Sequence, residues 1–229
     1  DEPNSAFISF ISDSFASASD VFMVPPSAPL DILVFDFGAG TCDVTVLEIL
    51  NTDGRLTSKN LSISKFEALG GDDIDREIVD NYLYPQFLEQ NKLKKTDIKS
   101  PQYLKTILPK LQSVAEIIKM NLCNNVSANM IGYELPKLAE SDAKVYKQTS
   151  INFHLLRESR SLINPFVTYK SFSNLIQNIF HDGKKFAGKE SGSIKSILNQ
   201  ALSKAGMKKE LIDIVLLIGG SSKNPYLQR

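Results

Sequence analysis

The feature that most limits the fold of this chain is a glycine-containing segment, Asp36–Asp43, with an apolar run on each side of it. Its pattern is Asp-x-Gly-x-Gly-Thr-x-Asp. The runs Ile32–Phe35 and Val44–Leu50 have the length and the β-branched content of strands. Because two strands separated by a short glycine-containing segment favour a hairpin, we expect Asp36–Asp43 to form its tip.

The residue types in this tip are suited to binding phosphate. Glycine permits positive φ and lets backbone amides approach an anion closely. The hydroxyl group of Thr41 can donate a hydrogen bond to a phosphate oxygen. Asp36 and Asp43 repel phosphate, so we expect them to hold a cation, such as hydrated Mg²⁺, that neutralises it. The simpler alternative is a hairpin whose glycines serve only the turn.

A second glycine turn, Gly219–Ser222, follows the apolar run Ile212–Ile218 and precedes a predicted helix. Exposed amides at the start of a helix suit the ribose and α-phosphate of a nucleotide. Taken alone, this segment is equally consistent with an ordinary loop.

A third group of polar residues consists of Glu116, Lys119 and Cys123. Their spacings of three and four place them on one face of a helix predicted over Leu108–Leu122. The simpler interpretation is an exposed Glu–Lys pair beside an apolar stripe.

The rest of the chain predicts an α/β protein. A strand near Leu61–Phe66 extends the hairpin into a β-meander, and Asp72 and Asp73 open a helix after Gly70 and Gly71. Further predicted elements are a short helix over 2–11, a loop over 12–30, mixed structure over 124–165, helices over Phe172–Phe180 and Ile194–Ala205 with Gly206 as its C-cap, and a buried strand over Ile212–Ile218.

Charge and composition exclude several classes of function. The 26 basic and 26 acidic residues cancel, so no global basic field attracts nucleic acid or an anionic membrane. No apolar run approaches the roughly 20 residues that span a bilayer. Cys42 and Cys123 form no CxxC motif, and His154 and His181 lack neighbouring ligands. We expect a reducing, cytoplasmic location, and the start at Asp1 suggests an excised or processed piece.

Five segments spread over nearly the whole chain carry the most distinctive patterns: Asp1–Ala6, Phe35–Asp43, Leu69–Asp75, Glu116–Cys123 and Ile214–Pro225. Taken together, in this order and with roughly this spacing, they resemble the nucleotide-binding domain of the heat-shock protein 70 family, the DnaK-type chaperones.

The resemblance implies the actin-like ATPase (ribonuclease H-like) fold, and within it the second lobe. That lobe is a mixed sheet flanked by helices with an inserted α+β subdomain. The expected domains are a discontinuous core, 1–66 and 166–229, and an insertion at 67–165. The first lobe and the peptide-binding domain are expected elsewhere in the intact protein.

The resemblance also implies roles for individual residues. Glu2 matches a carboxylate near the metal and the attacking water, Asp36 the acidic residue beside the Mg²⁺–phosphate cluster, and Thr41 a hydroxyl near the γ-phosphate. The implied cofactors are ATP or ADP and Mg²⁺, with K⁺ as a candidate monovalent cation near Asp36 and Asp43. The implied nucleotide contacts are Gly38, Ala39, Gly40, Thr41, Glu116, Lys119, Cys123, Gly219, Gly220, Ser221 and Lys223.

Some residues depart from the family pattern. Ala39 replaces a glycine, so its Cβ is expected to crowd the turn or alter its φ. Met120 and Lys223 stand where the family has arginines that pack on the two faces of adenine, and lysine lacks the planar guanidinium. Cys123 replaces a serine, and Lys65–Ala68 replaces a Gly-Asp-Thr-His segment. The resemblance therefore indicates a divergent member with a weakened adenine clamp.

These features favour an ATPase lobe of a divergent stress-response chaperone, which hydrolyses ATP in the intact protein to control polypeptide binding. The fragment alone is expected to be inactive. Expected partners are the first lobe, the substrate-binding domain, unfolded polypeptide clients, and an exchange factor or co-chaperone at 67–165. The alternative is a non-catalytic interaction or regulatory module with weakened nucleotide binding. A sugar kinase or an actin relative fits the motifs less well.

Overall fold

The computed structural model describes residues 28–52, 55–64, 68–155, 157–180 and 193–228. The helix predicted over 2–11, the site residue Glu2 and most of the loop predicted over 12–30 lie outside the described residues. The strands and longer helices, in chain order, are β1 (Leu30–Phe37), β2 (Cys42–Thr52), β3 (Arg55–Ile63), α1 (Gly71–Ile78), α2 (Tyr84–Gln90), α3 (Leu108–Ser127), β4 (Lys144–Tyr146), β5 (Ser150–Leu155), β6 (Glu158–Ile163), β7 (Phe166–Thr168), α4 (Tyr169–Ile179), α5 (Ile194–Ala205) and β8 (Ile214–Ile218).

Shorter helical segments connect these elements. Two are π-helical, Val79–Leu83 and Tyr103–Ile107, and one is a single α-helical turn at Ser100–Gln102. The 3₁₀ segments are Lys95–Asp97, Lys137–Glu140, Lys209–Leu211 and Gly220–Lys223. Within the described residues, no helix is both long enough and apolar enough to cross a lipid bilayer.

The described residues form two compact units. The first contains 28–52, 55–64, 68–70 and 193–223, and the second contains 71–155, 157–180 and 224–228. Helix α4, which the sequence pattern assigned to the discontinuous core, belongs to the second unit. The domain boundaries at 66/67 and 165/166 stay a prediction.

The first unit is built on a four-stranded mixed sheet in the order β3-β2-β1-β8. β2 pairs antiparallel with both β1 and β3, which confirms the predicted meander, and β8 pairs with β1 in parallel. β3 begins at Arg55 rather than near Leu61, because Thr52 and Arg55 already face each other across the second hairpin.

One face of this sheet carries the apolar core of the first unit. Ile32, Val34, Leu47 and Ile49 are buried there, and alternate residues of β8 pack against them. The prediction of a fully buried strand at the end of the chain is wrong. Because β8 is an edge strand of the described sheet, the side chain of Val215 is 56% exposed.

Helix α5 begins and ends where the sequence predicts. The hydroxyl of Ser193 accepts a hydrogen bond from the Ser196 amide at 3.0 Å, which caps the N-terminus. At the C-terminus Gly206 has φ of 68°, the left-handed conformation expected of a glycine C-cap. Ser62 on β3 donates a buried hydrogen bond of 2.7 Å to the carbonyl of Ala201, so α5 packs on the sheet.

The second unit contains the predicted helices. α1 begins at Gly71 with Asp72 and Asp73 in its first turn, as predicted. In α3 the apolar stripe is buried, and in α4 the apolar face is buried in the same way. The buried residues of these stripes are Leu111, Val114, Ala115, Ile118 and Leu122 in α3, and Phe172, Leu175, Ile176 and Ile179 in α4.

Three amide side chains at the end of α2 hold the strands that the sequence pattern left unassigned. Gln90 donates to the carbonyl of Ile163 at 3.0 Å and accepts from its amide at 2.8 Å. Gln86 pairs in the same way with Phe166, and Asn91 with Ser161. These side chains occupy backbone groups along β6 and β7 that a further strand would otherwise pair with.

Candidate functional site

The hairpin tip joins β1 to β2 through the four residues Gly38–Thr41. Its last strand pair is Phe37 opposite Cys42, and the Gly38 amide donates to the Thr41 carbonyl at 3.0 Å. Asp36 and Asp43 face each other directly across the two strands, and both are half-buried. The structure therefore brings the two predicted cation-binding carboxylates together.

The tip glycines do not play the conformational role that the sequence predicts. Neither Gly38 nor Gly40 has positive φ, and Ala39 does not have it either. A Cβ added at Gly38 would have its nearest neighbour at 3.9 Å, and one added at Gly40 would have none within 4 Å. Ala39 is exposed and does not have positive φ. That its Cβ alters the turn relative to a glycine stays a prediction.

Two other glycines do make close approaches to the tip. Gly219 has φ of 84°, and a Cβ there would lie 2.5 Å from the carbonyl oxygen of Phe37 and 2.8 Å from Asp36 Oδ1. A Cβ at Gly70 would lie 2.2 Å from the carbonyl oxygen of Ala39. We call Asp36–Gly40, Gly70 and Gly219 the glycine cradle, and all of it lies in the first unit.

Strand topology explains why Gly219 reaches the hairpin tip. β1 and β8 are parallel, with Asp36 opposite Ile218, so the carboxyl ends of both strands meet at one edge of the sheet. A glycine turn follows each strand there, and such edges are where open α/β sheets bind ligands. Ser222 donates to the Gly219 carbonyl at 2.8 Å, which fixes the turn. The helix predicted after this turn is the 3₁₀ segment Gly220–Lys223, in which Lys223 is exposed.

The second unit holds the remaining site residues on α3. Glu116 is exposed, while Lys119 and Cys123 are half-buried on the same helix face, as the spacing predicts. The interpretation as an exposed Glu–Lys pair is wrong. Lys119 Nζ instead donates to Asp75 Oδ2 at 2.8 Å and to the Gly71 carbonyl at 3.2 Å, both on α1.

Burial changes the acidity of two groups around Lys119. It raises the pKa of the Asp75 carboxyl to about 6, with Lys119 opposing the shift and Glu116 and Asp72 adding to it. Burial also raises the pKa of the Cys123 thiol to about 12, which keeps it protonated at neutral pH. Cys123 therefore carries a neutral thiol rather than a thiolate.

The donor atoms of the hairpin tip fit a magnesium ion. Mg²⁺ binds through one or two carboxylates and completes its shell with water and phosphate oxygens. Asp36 and Asp43, which face each other across the two strands, supply two carboxylates. Across the described residues, no group of three or more His, Cys, Asp or Glu side chains is placed to hold a metal alone.

The sequence pattern does not predict a role for two residues, Gly70 of the cradle and Asp75 beside Lys119. Both lie in Leu69–Asp75, one of the segments that resemble the family. Gly70 could have been identified from the paired glycines before α1, which suggest a close backbone approach. No local pattern identifies Asp75, because its partner lies 44 residues away.

Comparison with known proteins agrees with this geometry. The model of the family described as Hsp70 protein matches residues 25–229. The chaperone protein DnaK of Carsonella ruddii (strain PV) is 25% identical over 207 residues, covering 86% of this chain and 27% of that protein. The DnaK of Endomicrobium trichonymphae is 27% identical over 198 residues, covering 86% of this chain and 26% of that protein.

The chain thus spans about a quarter of the length of these curated relatives. The family match covers most of the chain, and the mixed sheet with flanking helices agrees with it. The chain belongs to the Hsp70 protein family and has the actin-like ATPase fold of its nucleotide-binding domain.

Proposed function

We propose that this chain is the ATP-binding lobe of a divergent Hsp70-type chaperone, which hydrolyses ATP in the intact protein to control polypeptide binding. The observation that carries the proposal is the glycine cradle. At Gly219 and Gly70 the backbone approaches the hairpin tip more closely than any side chain allows. Two opposed carboxylates, Asp36 and Asp43, lie at the same edge of the sheet.

In this proposal the tip binds the phosphates and the carboxylates bind the cation. The amides of Gly38–Gly40 and the Thr41 hydroxyl donate hydrogen bonds to phosphate oxygens. Asp36 and Asp43 hold Mg²⁺, mostly through water, and the ion neutralises charge on the phosphates. Glu2 helps to position the attacking water, while Gly220, Ser221 and Lys223 contact the nucleoside side.

The test uses the full-length protein, with Mg²⁺-ATP binding measured by calorimetry and hydrolysis by phosphate release. Asp36→Asn should reduce Mg²⁺-dependent hydrolysis by about 10²-fold or more, because an electrostatic group is lost. Asp142→Asn is the control, since Asp142 is exposed on the second unit. An unchanged rate in Asp36→Asn would refute the assigned role. The isolated chain should show no Mg²⁺-dependent turnover.

The proposed partners follow from the same assignment. A nucleotide exchange factor or co-chaperone would bind within 67–165, and unfolded polypeptides would bind the substrate-binding domain of the intact protein. We propose a cytoplasmic location. Crosslinking from Tyr133, whose side chain is 73% exposed within that region, tests the position of the exchange-factor surface.

A second function is favoured by the α3 face. Met120 is 53% exposed and Cys123 holds a neutral thiol, so the groups available to adenine are weak. A non-catalytic regulatory module with weakened nucleotide binding would keep the fold without turnover. Calorimetry with the full-length protein distinguishes the two functions. If calorimetry detects no heat of binding at millimolar ATP, the result supports the regulatory module.

A further inference from the structure

The ammonium group of Lys119 is held by two acceptors on a different helix. Its Nζ lies 2.8 Å from Asp75 Oδ2 and 3.2 Å from the carbonyl oxygen of Gly71. Both acceptors belong to the first two turns of α1, while Lys119 lies in the middle of α3. A flexible lysine side chain is therefore fixed at its tip by contacts outside its own helix.

This arrangement leaves part of the ammonium group available. An ammonium has three N–H donors, and Asp75 and Gly71 take two of them. The side chain of Lys119 remains 16% exposed, so it is not enclosed by protein. A fixed lysine with one remaining donor loses less conformational entropy on binding a ligand than a freely rotating one.

The position of Asp75 is costly for the protein. Its side chain is only 7% exposed, and its Oδ1 is buried without a hydrogen-bond partner among the described residues. Glu116 and Asp72 add repulsion to the desolvation of the carboxylate. Because buried ion pairs seldom stabilise a fold more than apolar packing does, stability is a weak reason for this pair.

We propose that Asp75 is a positioning residue, which together with the Gly71 carbonyl holds Lys119 ready to donate its third N–H to bound nucleotide. The inference rests on the proposed function, since it needs a nucleotide on the face that carries Lys119. It assigns a binding role to a residue of α1 that itself does not touch the ligand.

The test is a double-mutant cycle in the full-length protein, with Mg²⁺-ADP affinity measured by calorimetry. Asp75→Asn should weaken binding about fivefold, the effect of releasing one rotamer-rich side chain. Lys119→Met should weaken it at least as much. The double variant should bind no more weakly than Lys119→Met alone, because the two residues act through one group. Asp72→Asn, on the exposed side of the same helix, is the control and should bind like the parent.

A pH profile adds a readout that a purely structural role would not change. The groups near the Asp75 carboxyl are Lys119, Glu116, Asp72 and the neutral Cys123 thiol. At each pH, the affinity of the parent protein is divided by the affinity of Asp75→Asn. Titration of the nucleotide itself affects both proteins equally, so it does not change this ratio. That ratio should fall from about fivefold at pH 7.5 towards one at pH 5, as Asp75 becomes protonated with a pKa of about 6.

The outcomes separate this inference from the proposed function. Additive losses in the cycle, tighter binding by Asp75→Asn, or a flat affinity ratio overturn the positioning role while nucleotide binding stands. An unchanged affinity in Lys119→Met overturns it as well. If the parent protein binds no Mg²⁺-ADP, both the proposed function and the inference fail. Circular dichroism of each variant confirms that it is folded before its affinity is interpreted.

Discussion

The glycine cradle is formed by backbone atoms, whereas the face of α3 that carries Lys119 is formed by side chains. In the cradle, the close contacts are made by backbone atoms of Phe37 and Ala39 against Gly219 and Gly70. On the α3 face, contacts are made by side chains, with Lys119 tied to α1 and Cys123 beside it. Steric contact limits which residues fit in the first region, whereas charge and burial limit which residues fit in the second.

This difference explains where the chain departs from the pattern that it resembles. Any side chain at Gly219 or Gly70 collides with backbone, so these positions tolerate only glycine. Met120, by contrast, is half exposed, and a different side chain there costs the fold little. Gly219 and Gly70 therefore resist substitution because of their backbone contacts, whereas an exposed side chain such as Met120 does not.

The largest effect is expected from Gly219→Ala and Gly70→Ala. Each adds a Cβ at 2.5 Å or less from a carbonyl oxygen, and Gly219 also has positive φ. Backbone shifts and strain of this kind should lower the free energy of unfolding by about 2–4 kcal/mol. Urea unfolding of the chain, followed by circular dichroism, measures the loss.

Gly132→Ala is the matched control for backbone strain without collision. Gly132 has φ of 61°, and a Cβ there meets nothing within 4 Å. Its loss should be only about 1 kcal/mol. If all three variants lose the same free energy, close contact is not what restricts the cradle.

The next largest effect is expected from the titration of Asp75, which makes the free energy of unfolding depend on pH. Its folded pKa of about 6 lies above the ordinary value of 3.8, so the folded state binds the proton more tightly than the unfolded state. The free energy of unfolding should therefore fall by about 1–3 kcal/mol as the pH rises from 4 to 7. Asp75→Asn should lack this component, which urea titrations of both proteins at each pH would measure.

The substitution Lys119→Met gives a second test of the pH dependence that Asp75 causes. Without the ammonium the buried carboxylate loses the attraction of Lys119, so its pKa should rise further. The variant should lose more stability at pH 8 than at pH 5. Equal losses at both pH values would mean that Lys119 does not stabilise the charged form of Asp75.

Local patterns in the sequence predict much of this structure. The hairpin at Asp36–Asp43, the apolar stripe of α3 and the C-cap Gly206 are set by neighbouring residues, and the structure confirms them. Pairings between distant residues were not predictable. Gln90 on Ile163 and Lys119 on Asp75 join residues 73 and 44 positions apart, and no periodicity encodes such partners. The edge position of β8 is not predictable for the same reason, because strand order is a property of the whole sheet.

A smaller effect is expected from Cys123→Ser. The substitution places a hydroxyl where burial keeps the thiol neutral, so about 1 kcal/mol of stability should be lost. In the parent, the thiol should react with a disulfide reagent at pH 7.5 at least about 10²-fold more slowly than a free cysteine, because the thiolate is scarce. Peptide mass spectrometry distinguishes Cys123 from the buried Cys42. Rapid labelling at Cys123 would contradict the raised pKa.

The smallest effect on stability is expected from Gly40→Ala, and it separates fold from ligand in the cradle. A Cβ at Gly40 meets nothing within 4 Å and its φ is not positive, so the free energy of unfolding should change by less than about 0.5 kcal/mol. If the Gly40 amide approaches a phosphate, the same methyl group should weaken Mg²⁺-ATP binding by the full-length protein. Gly219→Ala would lose both stability and binding, whereas Gly40→Ala would lose binding alone. Unchanged binding in Gly40→Ala would mean that the tip glycine serves neither fold nor phosphate, and the proposed phosphate site would then have to use the amides nearer Gly219.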